Sequence, residues 1–299
     1  MTPQAVGHLA MLSFSALVAG SFALGAMVAN DISPMALNAV RFWIAAAVVG
    51  IFAVGRVGIR RSDVVAPWRY IVLAAVFVLY FVLMFEGLKT APAVSAAAVF
   101  TLTPILSAVF GFLLLRQILT RWMALALLIG GVGAIWVIFR ADVAAILAFD
   151  IGRGELIYFV GCVSHAIYTP LVRKLNQGEN VVVFTFLTLV AGAVLLTFVG
   201  WRDVVTTDWV NLPSLVWITI AYVAIFASAT TFTLLQFATL RLPSAKVMAY
   251  TYLTPSWVML WVIGLGQGLP PAMVMLGVGL TIVALVMLLR DEGAVAKSI

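Results

Sequence analysis

The chain is a succession of long apolar runs separated by short polar breaks. Each run holds about 20 residues, enough to cross a hydrocarbon core about 30 Å thick at a rise of about 1.5 Å per residue. The ten runs, which we number spans 1 to 10, cover residues 8–29, 34–55, 68–88, 92–115, 121–139, 154–173, 181–200, 213–236, 243–265 and 270–289. This pattern predicts an all-α polytopic membrane protein with ten transmembrane helices.

The composition supports a lipid environment for most of the chain. Of 299 residues, 65% are hydrophobic and 9% are charged, whereas soluble domains carry about 25% charged residues. No Lys or Arg precedes span 1, which is longer than a signal-peptide core, so we expect it to be retained. With one cysteine and two histidines, we expect neither a disulfide framework nor a metal site, and no cofactor. Basic loops explain the net charge of +6, so no nucleic-acid partner is expected.

Basic residues are distributed unequally between the two sets of loops. If the N-terminus is cytoplasmic, twelve of them lie on the cytoplasmic side: Arg56, Arg60, Arg61, Arg69, Arg116, Arg121, Arg173, Lys174, Arg241, Lys246, Arg290 and Lys297. Only four lie on the other side: Lys89, Arg140, Arg153 and Arg202. Because cytoplasmic loops of membrane proteins are enriched in Lys and Arg, both termini are predicted to be cytoplasmic.

The two halves of the chain contain a repeated segment. Residues 92–104 in span 4 align with residues 243–255 in span 9, and each segment begins with proline and ends in Leu-Thr-Pro, 151 residues apart. Because each half has five spans, an odd number, the second half must cross the membrane in the opposite sense. The predicted parts are two inverted five-helix repeats, 1–140 and 154–291, an external linker, 141–153, and a cytoplasmic tail, 292–299.

Inverted repeats are typical of transporters. They place a substrate site near the midplane between the halves, which rock to expose it to each side in turn. Pro104 and Pro255 lie near the centres of spans 4 and 9 and are predicted to be hinges. Each leaves the carbonyl four residues earlier, at Phe100 or Thr251, without its helical partner. For either proline, a simple kink packed against neighbouring helices is the alternative.

Four short phrases carry a resemblance to a known family. They are Ala39-Val-Arg-Phe-Trp43, Leu102-Thr-Pro104, Leu119-Thr-Arg-Trp122 and Leu253-Thr-Pro255. With the ten spans and tandem halves, they resemble the EamA branch of the drug/metabolite transporter (DMT) superfamily, and within it the bacterial YddG-type aromatic amino-acid exporters. The resemblance implies a central cavity lined mainly by spans 3, 4, 8 and 9, helped by spans 1 and 6. Where the family usually has Gly-Glu at the end of span 4, this chain has Arg116-Gln117.

Aromatic and hydroxyl side chains recur at helical spacing on the spans that the resemblance assigns to the cavity. They would form an aromatic wall suited to an uncharged or zwitterionic solute with a large apolar side chain. Lipid contact or helix packing is the alternative explanation for these stripes. The candidate substrate-binding residues, including His165 and Tyr168 of span 6, are Tyr80, Met84, Phe100, Thr103, His165, Tyr168, Tyr222, Phe226, Thr230, Lys246, Tyr250, Thr254 and Trp257.

Few ionisable residues lie inside the spans. Arg41, about two turns into span 2, is expected to snorkel or to pair with a helix terminus. Lys246, one turn into span 9, corresponds by the resemblance to a residue that meets an anionic substrate group, and an ordinary lysine reaching the headgroups is the alternative. His165 in span 6 could hydrogen-bond a substrate or carry a proton, or only bond a neighbouring helix.

These observations predict a multi-pass protein of the bacterial inner membrane, not an enzyme, that exports hydrophobic and aromatic amino acids and related metabolites by alternating access. No Asp or Glu lies in the middle of a span, so facilitated diffusion is expected rather than proton exchange. A proton-coupled drug or metabolite exporter and a non-transporting membrane scaffold remain alternatives. The expected partners are a small-molecule substrate and the lipid bilayer.

Overall fold

The computed structural model describes residues 3–148, 150–268 and 271–290, and the regular structure in these ranges is helical. Nine helices of the described part are long and apolar enough to cross a membrane, and a tenth apolar helix, Val274–Arg290, is shorter. The nine are Ala5–Val28, Pro34–Val57, Trp68–Gly87, Ala93–Leu115, Arg121–Ile138, Arg153–Leu175, Val181–Val199, Ser214–Thr239 and Ser244–Gly264. The prediction of ten spans is therefore confirmed. The predicted tail, 292–299, lies outside the described residues.

Polar residues in the short breaks begin several of the helices. The Ser33 hydroxyl accepts a hydrogen bond from the Met35 amide at 3.3 Å, where span 2 begins. The Thr120 hydroxyl does the same for the Met123 amide at 3.1 Å, at the start of span 5. These side chains satisfy amides that have no partner within the helix, so the breaks both end one span and start the next.

Spans 4 and 9 are each broken at the repeated Leu-Thr-Pro segment. Span 4 consists of Ala93–Phe100 and Thr103–Leu115. In span 9, a 3₁₀ turn, Tyr250–Leu253, separates Ser244–Ala249 from Thr254–Gly264. The two breaks thus occupy equivalent positions in the two halves.

Both carbonyls that the prolines were predicted to orphan have new partners. The Thr103 hydroxyl donates to the Phe100 carbonyl at 2.6 Å, and the Thr254 amide donates to the Thr251 carbonyl. The spans cross at these breaks, because the hydroxyl oxygens of Thr103 and Thr251 lie 3.2 Å apart. The breaks are therefore satisfied within protein, as the bilayer core requires, and the hinge role of Pro104 and Pro255 stays a prediction.

The packing of the spans repeats between the halves. Span 3 packs against span 6, and its counterpart, span 8, packs against span 1. Spans 2 and 7 pack together, as do spans 5 and 10 and the broken spans 4 and 9. Each of these last three pairs joins equivalent spans, so the pairs lie along the axis that relates the two halves.

Spans 5 and 10 meet at two glycines. A Cβ atom on Gly277 would lie 2.7 Å from the Gly133 carbonyl oxygen, and one on Gly133 would lie 2.6 Å from the Gly277 carbonyl oxygen. Such distances are too short for a side chain, so the two backbones touch directly. The contact brings the last spans of the two halves together.

We expect Gly277→Ala to destabilise the protein by about 1–3 kcal/mol, because the added methyl group forces the two backbones apart. Gly279→Ala is the matched control, since a Cβ atom at this site in the same helix meets nothing within 4 Å. Thermal unfolding of both variants in detergent measures the difference. Equal melting temperatures would contradict the close contact.

A buried ion pair connects span 3 to the loop between spans 6 and 7. The Arg69 guanidinium lies 2.6 Å from the Glu179 carboxylate, with side-chain exposures of 1% and 4%, and donates to the Leu175 carbonyl at 2.7 Å. Burial by itself raises the pKa of Glu179. Hydrogen bonds from Arg69 and the Gln177 amide outweigh it, and the pKa lies below its ordinary value of 4.5.

We expect this pair to make stability depend on pH. Because the folded pKa of Glu179 is lowered, its contribution is complete above the unfolded pKa and is lost as the pH falls through the folded one. Glu179→Gln should lower the melting temperature at pH 7 and have a smaller effect at pH 3. Glu86→Gln is the control, because Glu86 and Lys89 form a solvent-exposed pair of small expected value. A pH-independent difference between wild type and Glu179→Gln would refute this expectation.

Candidate substrate-binding site

Rings from spans 3, 4, 6 and 8 fill the centre of the bundle. We call this set the core cluster; it comprises Phe77, Tyr80, Phe81, Phe100, Tyr158, His165, Tyr168 and Phe232, each at most 2% exposed. The rings of Phe77 and Tyr168 stack with centroids 4.1 Å apart and an interplanar angle of 9°. The cluster joins spans of both halves next to the crossing of spans 4 and 9, where inverted-repeat transporters bind their substrates.

His165 is enclosed by rings of this cluster. Its centroid lies 4.4 Å from that of Tyr80, 5.2 Å from Phe100 and 5.3 Å from Phe77. Its Nδ1 atom is buried and has no hydrogen-bond partner within the described part of the chain. A buried polar atom without a partner is costly and calls for an explanation, which makes this nitrogen a candidate for hydrogen-bonding a ligand.

Buried hydrogen bonds hold the hydroxyl groups of the cluster's tyrosines. The Gln236 amide donates to the Tyr168 hydroxyl at 2.8 Å, and its carbonyl accepts from the Thr185 hydroxyl at 2.7 Å. Tyr158 donates to the Tyr80 hydroxyl at 3.1 Å. The sequence-based set contains Tyr80 and Tyr168 but neither Tyr158 nor Gln236. Gln236 had a usable signal, since an amide inside a transmembrane helix needs partners from other helices.

We expect Gln236→Leu and Tyr168→Phe each to cost about 1–3 kcal/mol, because each leaves a buried polar partner unsatisfied. The double variant should be less destabilised than the sum of the two, by about 0.5–3 kcal/mol, because it removes both sides of the bond. Chemical or thermal unfolding of the four proteins in detergent gives this coupling energy. Additive effects would show that the bond is not formed.

The structure brings four predicted site residues together in the core cluster: Tyr80, Phe100, His165 and Tyr168. Met84 is buried one turn further along span 3, and Thr103 lies at the crossing of the broken spans. Thr254 is also buried, and its hydroxyl has no partner among the described residues. These residues belong to spans 3, 4, 6 and 9, four of the six spans assigned to the predicted cavity.

Lys246 and Tyr250 lie towards the predicted cytoplasmic end of span 9. Both are 4% exposed. The Tyr250 hydroxyl lies 3.0 Å from Nδ1 of His8 in span 1. The two residues therefore form a separate, shallower group between spans 1 and 9.

A third group lies beside span 1, away from the core cluster. Tyr222 donates to the Leu17 carbonyl at 2.9 Å, and the Trp257 indole donates to the Ser15 hydroxyl at 3.2 Å. Phe226 is 46% exposed, and Thr230 is exposed with its hydroxyl bonded to the Ile225 carbonyl. The structure thus does not bring these predicted residues into contact with the cluster, and their role as a substrate wall stays a prediction.

Span 8 contains a π-helix, Ile225–Thr230. It lies between the α-helices Ser214–Ala224 and Thr231–Thr239. A π-helix adds a residue to the turn and shifts the helical face that follows it. Phe232 and Gln236 consequently face the core cluster, whereas Tyr222 does not.

A cavity of about 340 Å³ opens at the face opposite the predicted cytoplasmic one, between spans 4, 5, 9 and 10. Its lining includes Ser95, Val137, Arg140 and Val262. The Ser95 hydroxyl donates to the Glu155 carboxylate at 2.7 Å, and Glu155 is 3% exposed in the first turn of span 6. In the described part of the chain, no three His, Cys, Asp or Glu side chains lie close enough to bind a metal ion.

Two inverted sets of apolar helices that cross at broken midpoints define a multi-pass membrane transporter. The EamA-like transporter family model matches residues 5–139 and 152–290, and the chain belongs to this family. It is 31% identical over 223 residues to the "Uncharacterized transporter YyaM" of Bacillus subtilis (strain 168), covering 74% of this chain and 73% of the relative. A solved crystal structure shares the fold, with a TM-score of 0.72 at 20% identity, covering 95% of both chains.

These findings confirm the membership of the EamA branch, the inverted two-half fold and a transport function. A transporter of this kind needs a small-molecule substrate and a lipid bilayer. The bounds of the two repeats and the narrower likeness to YddG-type exporters stay predictions. The name of the relative specifies no substrate.

Proposed function

We propose that the protein exports hydrophobic, chiefly aromatic, amino acids and related metabolites across a bacterial inner membrane by alternating access. The observation that carries this proposal is the core cluster at the crossing of the two halves. It closes around Nδ1 of His165, which has no hydrogen-bond partner among the described residues. Stacked rings favour an aromatic side chain, and the imidazole nitrogen offers one hydrogen bond to a polar group of the substrate.

The closed cluster fits an occluded state, which a transporter passes through as its two halves rock against each other. The contact of Gly133 with Gly277 joins the last spans of the halves and would act as the pivot. Pro104 and Pro255 would act as hinges next to the crossing at Thr103. Rocking would then open the cluster to one face at a time.

The distribution of charge supports a zwitterionic cargo and the orientation of the chain in the membrane. Lys246, at the predicted cytoplasmic end of span 9, would meet the carboxylate of an entering amino acid. In the first half, Ser95 occupies the position equivalent to Lys246 at the opposite face, beside the 340 Å³ cavity. We assign both termini to the cytoplasm from the excess of Lys and Arg in those loops, and outward transport from the resemblance to exporters.

We propose facilitated diffusion, because no carboxylate lies at the middle of a span in the described residues. Glu155 favours a second candidate, a proton-coupled exporter. Its carboxylate is 3% exposed and bonds Ser95, which lines the outer cavity. A buried carboxylate that is reached from one face could exchange a proton for a substrate.

Transport by the purified full chain in liposomes tests the proposal. Uptake of labelled Trp, Phe and Thr and of a cationic dye is measured with and without a pH gradient. We expect Trp and Phe to equilibrate without a gradient. Strict dependence on the gradient, abolished in Glu155→Gln, would establish the second candidate instead, and failure to move any amino acid would refute the proposed function.

We expect His165→Phe to lower Trp uptake about tenfold, the effect of losing one hydrogen bond worth about 1.4 kcal/mol. The variant keeps an aromatic ring, so the packing of the cluster is retained. Phe198→Ala is the control, because Phe198 is 83% exposed on span 7 and should leave uptake unchanged. Wild-type uptake by His165→Phe would remove His165 from the site.

A further inference from the structure

Arg41 is a fully buried cation in a transmembrane helix. Its exposure is 0%. Of the two interpretations drawn from the sequence, the one in which Arg41 snorkels to the membrane surface is therefore wrong. No carboxylate pairs with it in the described chain, where the ion pairs are Arg69 with Glu179 and Lys89 with Glu86. Because an unpaired charge is costly at this depth, such a residue is a candidate for a functional site.

Among the described residues, the guanidinium of Arg41 has only neutral acceptors. Its Nε donates to the Ser228 hydroxyl at 2.6 Å, its Nη2 to the Ala227 carbonyl at 2.8 Å, and its Nη1 to the Asn38 side-chain carbonyl at 3.3 Å. A guanidinium has five N–H donors, so two remain. A carboxylate would accept two parallel bonds and neutralise the charge, which these groups cannot do.

The acceptors lie in an irregular part of span 8. Ala227 and Ser228 belong to the π-helix, Ile225–Thr230. This segment departs from the regular helix, and π-helical segments are frequent at functional sites. Arg41 therefore connects span 2 of the first half to the irregular turn of the second half.

Arg41 also touches the core cluster. Its Cζ lies 3.8 Å from the ring centroid of Phe81. The Phe81 ring in turn contacts Tyr80 at a centroid distance of 4.6 Å and Phe77 at 4.9 Å. A carboxylate on the guanidinium would place the rest of a small amino acid against these rings.

We propose that Arg41 binds the carboxylate of the transported amino acid. The proposal rests on the proposed function and names the charged group that its substrate must carry. The carboxylate takes the place of the Ser228 hydroxyl and the Ala227 carbonyl, which releases the π-helix of span 8 from span 2. Substrate binding thereby loosens a contact between the halves, and this differential contact couples occupancy to rocking. Lys246, at the predicted cytoplasmic end, is the earlier contact along the same path.

Paired substrates that differ only in the carboxylate test the proposal. Uptake of labelled Trp and of its carboxamide is compared in liposomes containing wild type, Arg41→Gln, Arg41→Lys or Ser228→Ala. We expect wild type to prefer Trp at least about tenfold and Arg41→Gln to lose this preference. Arg41→Lys should keep part of it, because the charge remains but the planar fork is lost. Ser228→Ala is the matched control, since it removes a neutral acceptor of the clamp and should keep the preference.

Unchanged preference in Arg41→Gln would overturn the proposal. An equal loss of both substrates in folded Arg41→Gln would also overturn it, because Arg41 would then be only a clamp on span 8. If Arg41→Gln does not give a monodisperse protein, Arg41→Lys decides, and a preference equal to that of wild type overturns the proposal. A wild-type chain that moves neither Trp nor Phe would instead refute the proposed function itself.

Discussion

The bilayer core offers no water to hydrogen-bond a free backbone group, and this constraint governs where the helices of this protein can be irregular. Spans 4 and 9 break at Leu-Thr-Pro, where hydroxyl and amide donors replace the missing helical bonds. Span 8 forms a π-helix where Arg41 donates a hydrogen bond to the Ala227 carbonyl. The breaks of spans 4 and 9 are buried at their crossing, and the π-helix of span 8 buries Ala227 and Ser228 against Arg41 while Phe226 and Thr230 are exposed.

The same scarcity of water makes each buried polar side chain conspicuous. Gln236 has partners on spans 6 and 7 and holds three helices in register. Arg41 has partners, but none of them carries a negative charge. His165 has a ring nitrogen for which the described part of the chain supplies no hydrogen-bond partner. The hydrogen bonds of Gln236 are complete, whereas Arg41 lacks a negative partner and the His165 nitrogen lacks a partner among the described residues. Substrate binding is therefore expected at Arg41 and His165.

The apolar contacts are of two kinds: a direct backbone contact between spans 5 and 10, and the packing of large rings in the core cluster. Spans 5 and 10 touch through glycine backbones, a contact with no side chain that could change rotamer. The core cluster is built from long rings on spans 3, 4, 6 and 8, which can turn or separate when the halves rock. A bundle of this kind can move one region while keeping another intact. The model of the transporter family to which the chain belongs matches both halves.

Most of the fold could be read from the sequence, because it depends on local quantities. The apolar length of each run determines a span, an odd number of spans determines inversion, and a proline at mid-helix determines where spans 4 and 9 break. Part of the site followed too, since Tyr80, Phe100, His165 and Tyr168 meet in one cluster. Periodicity places residues on one face of a helix without saying which neighbour that face meets.

Only the tertiary structure shows which neighbouring helix each face meets. The π-helix of span 8 turns Phe232 into the cluster and leaves Tyr222 beside span 1, a shift that no spacing in the sequence records. It also decided that Arg41 is enclosed and not extended to the membrane surface, because other helices supply its acceptors. Length, hydrophobicity and proline chemistry belong to the chain itself, whereas partners and burial belong to the way the helices pack.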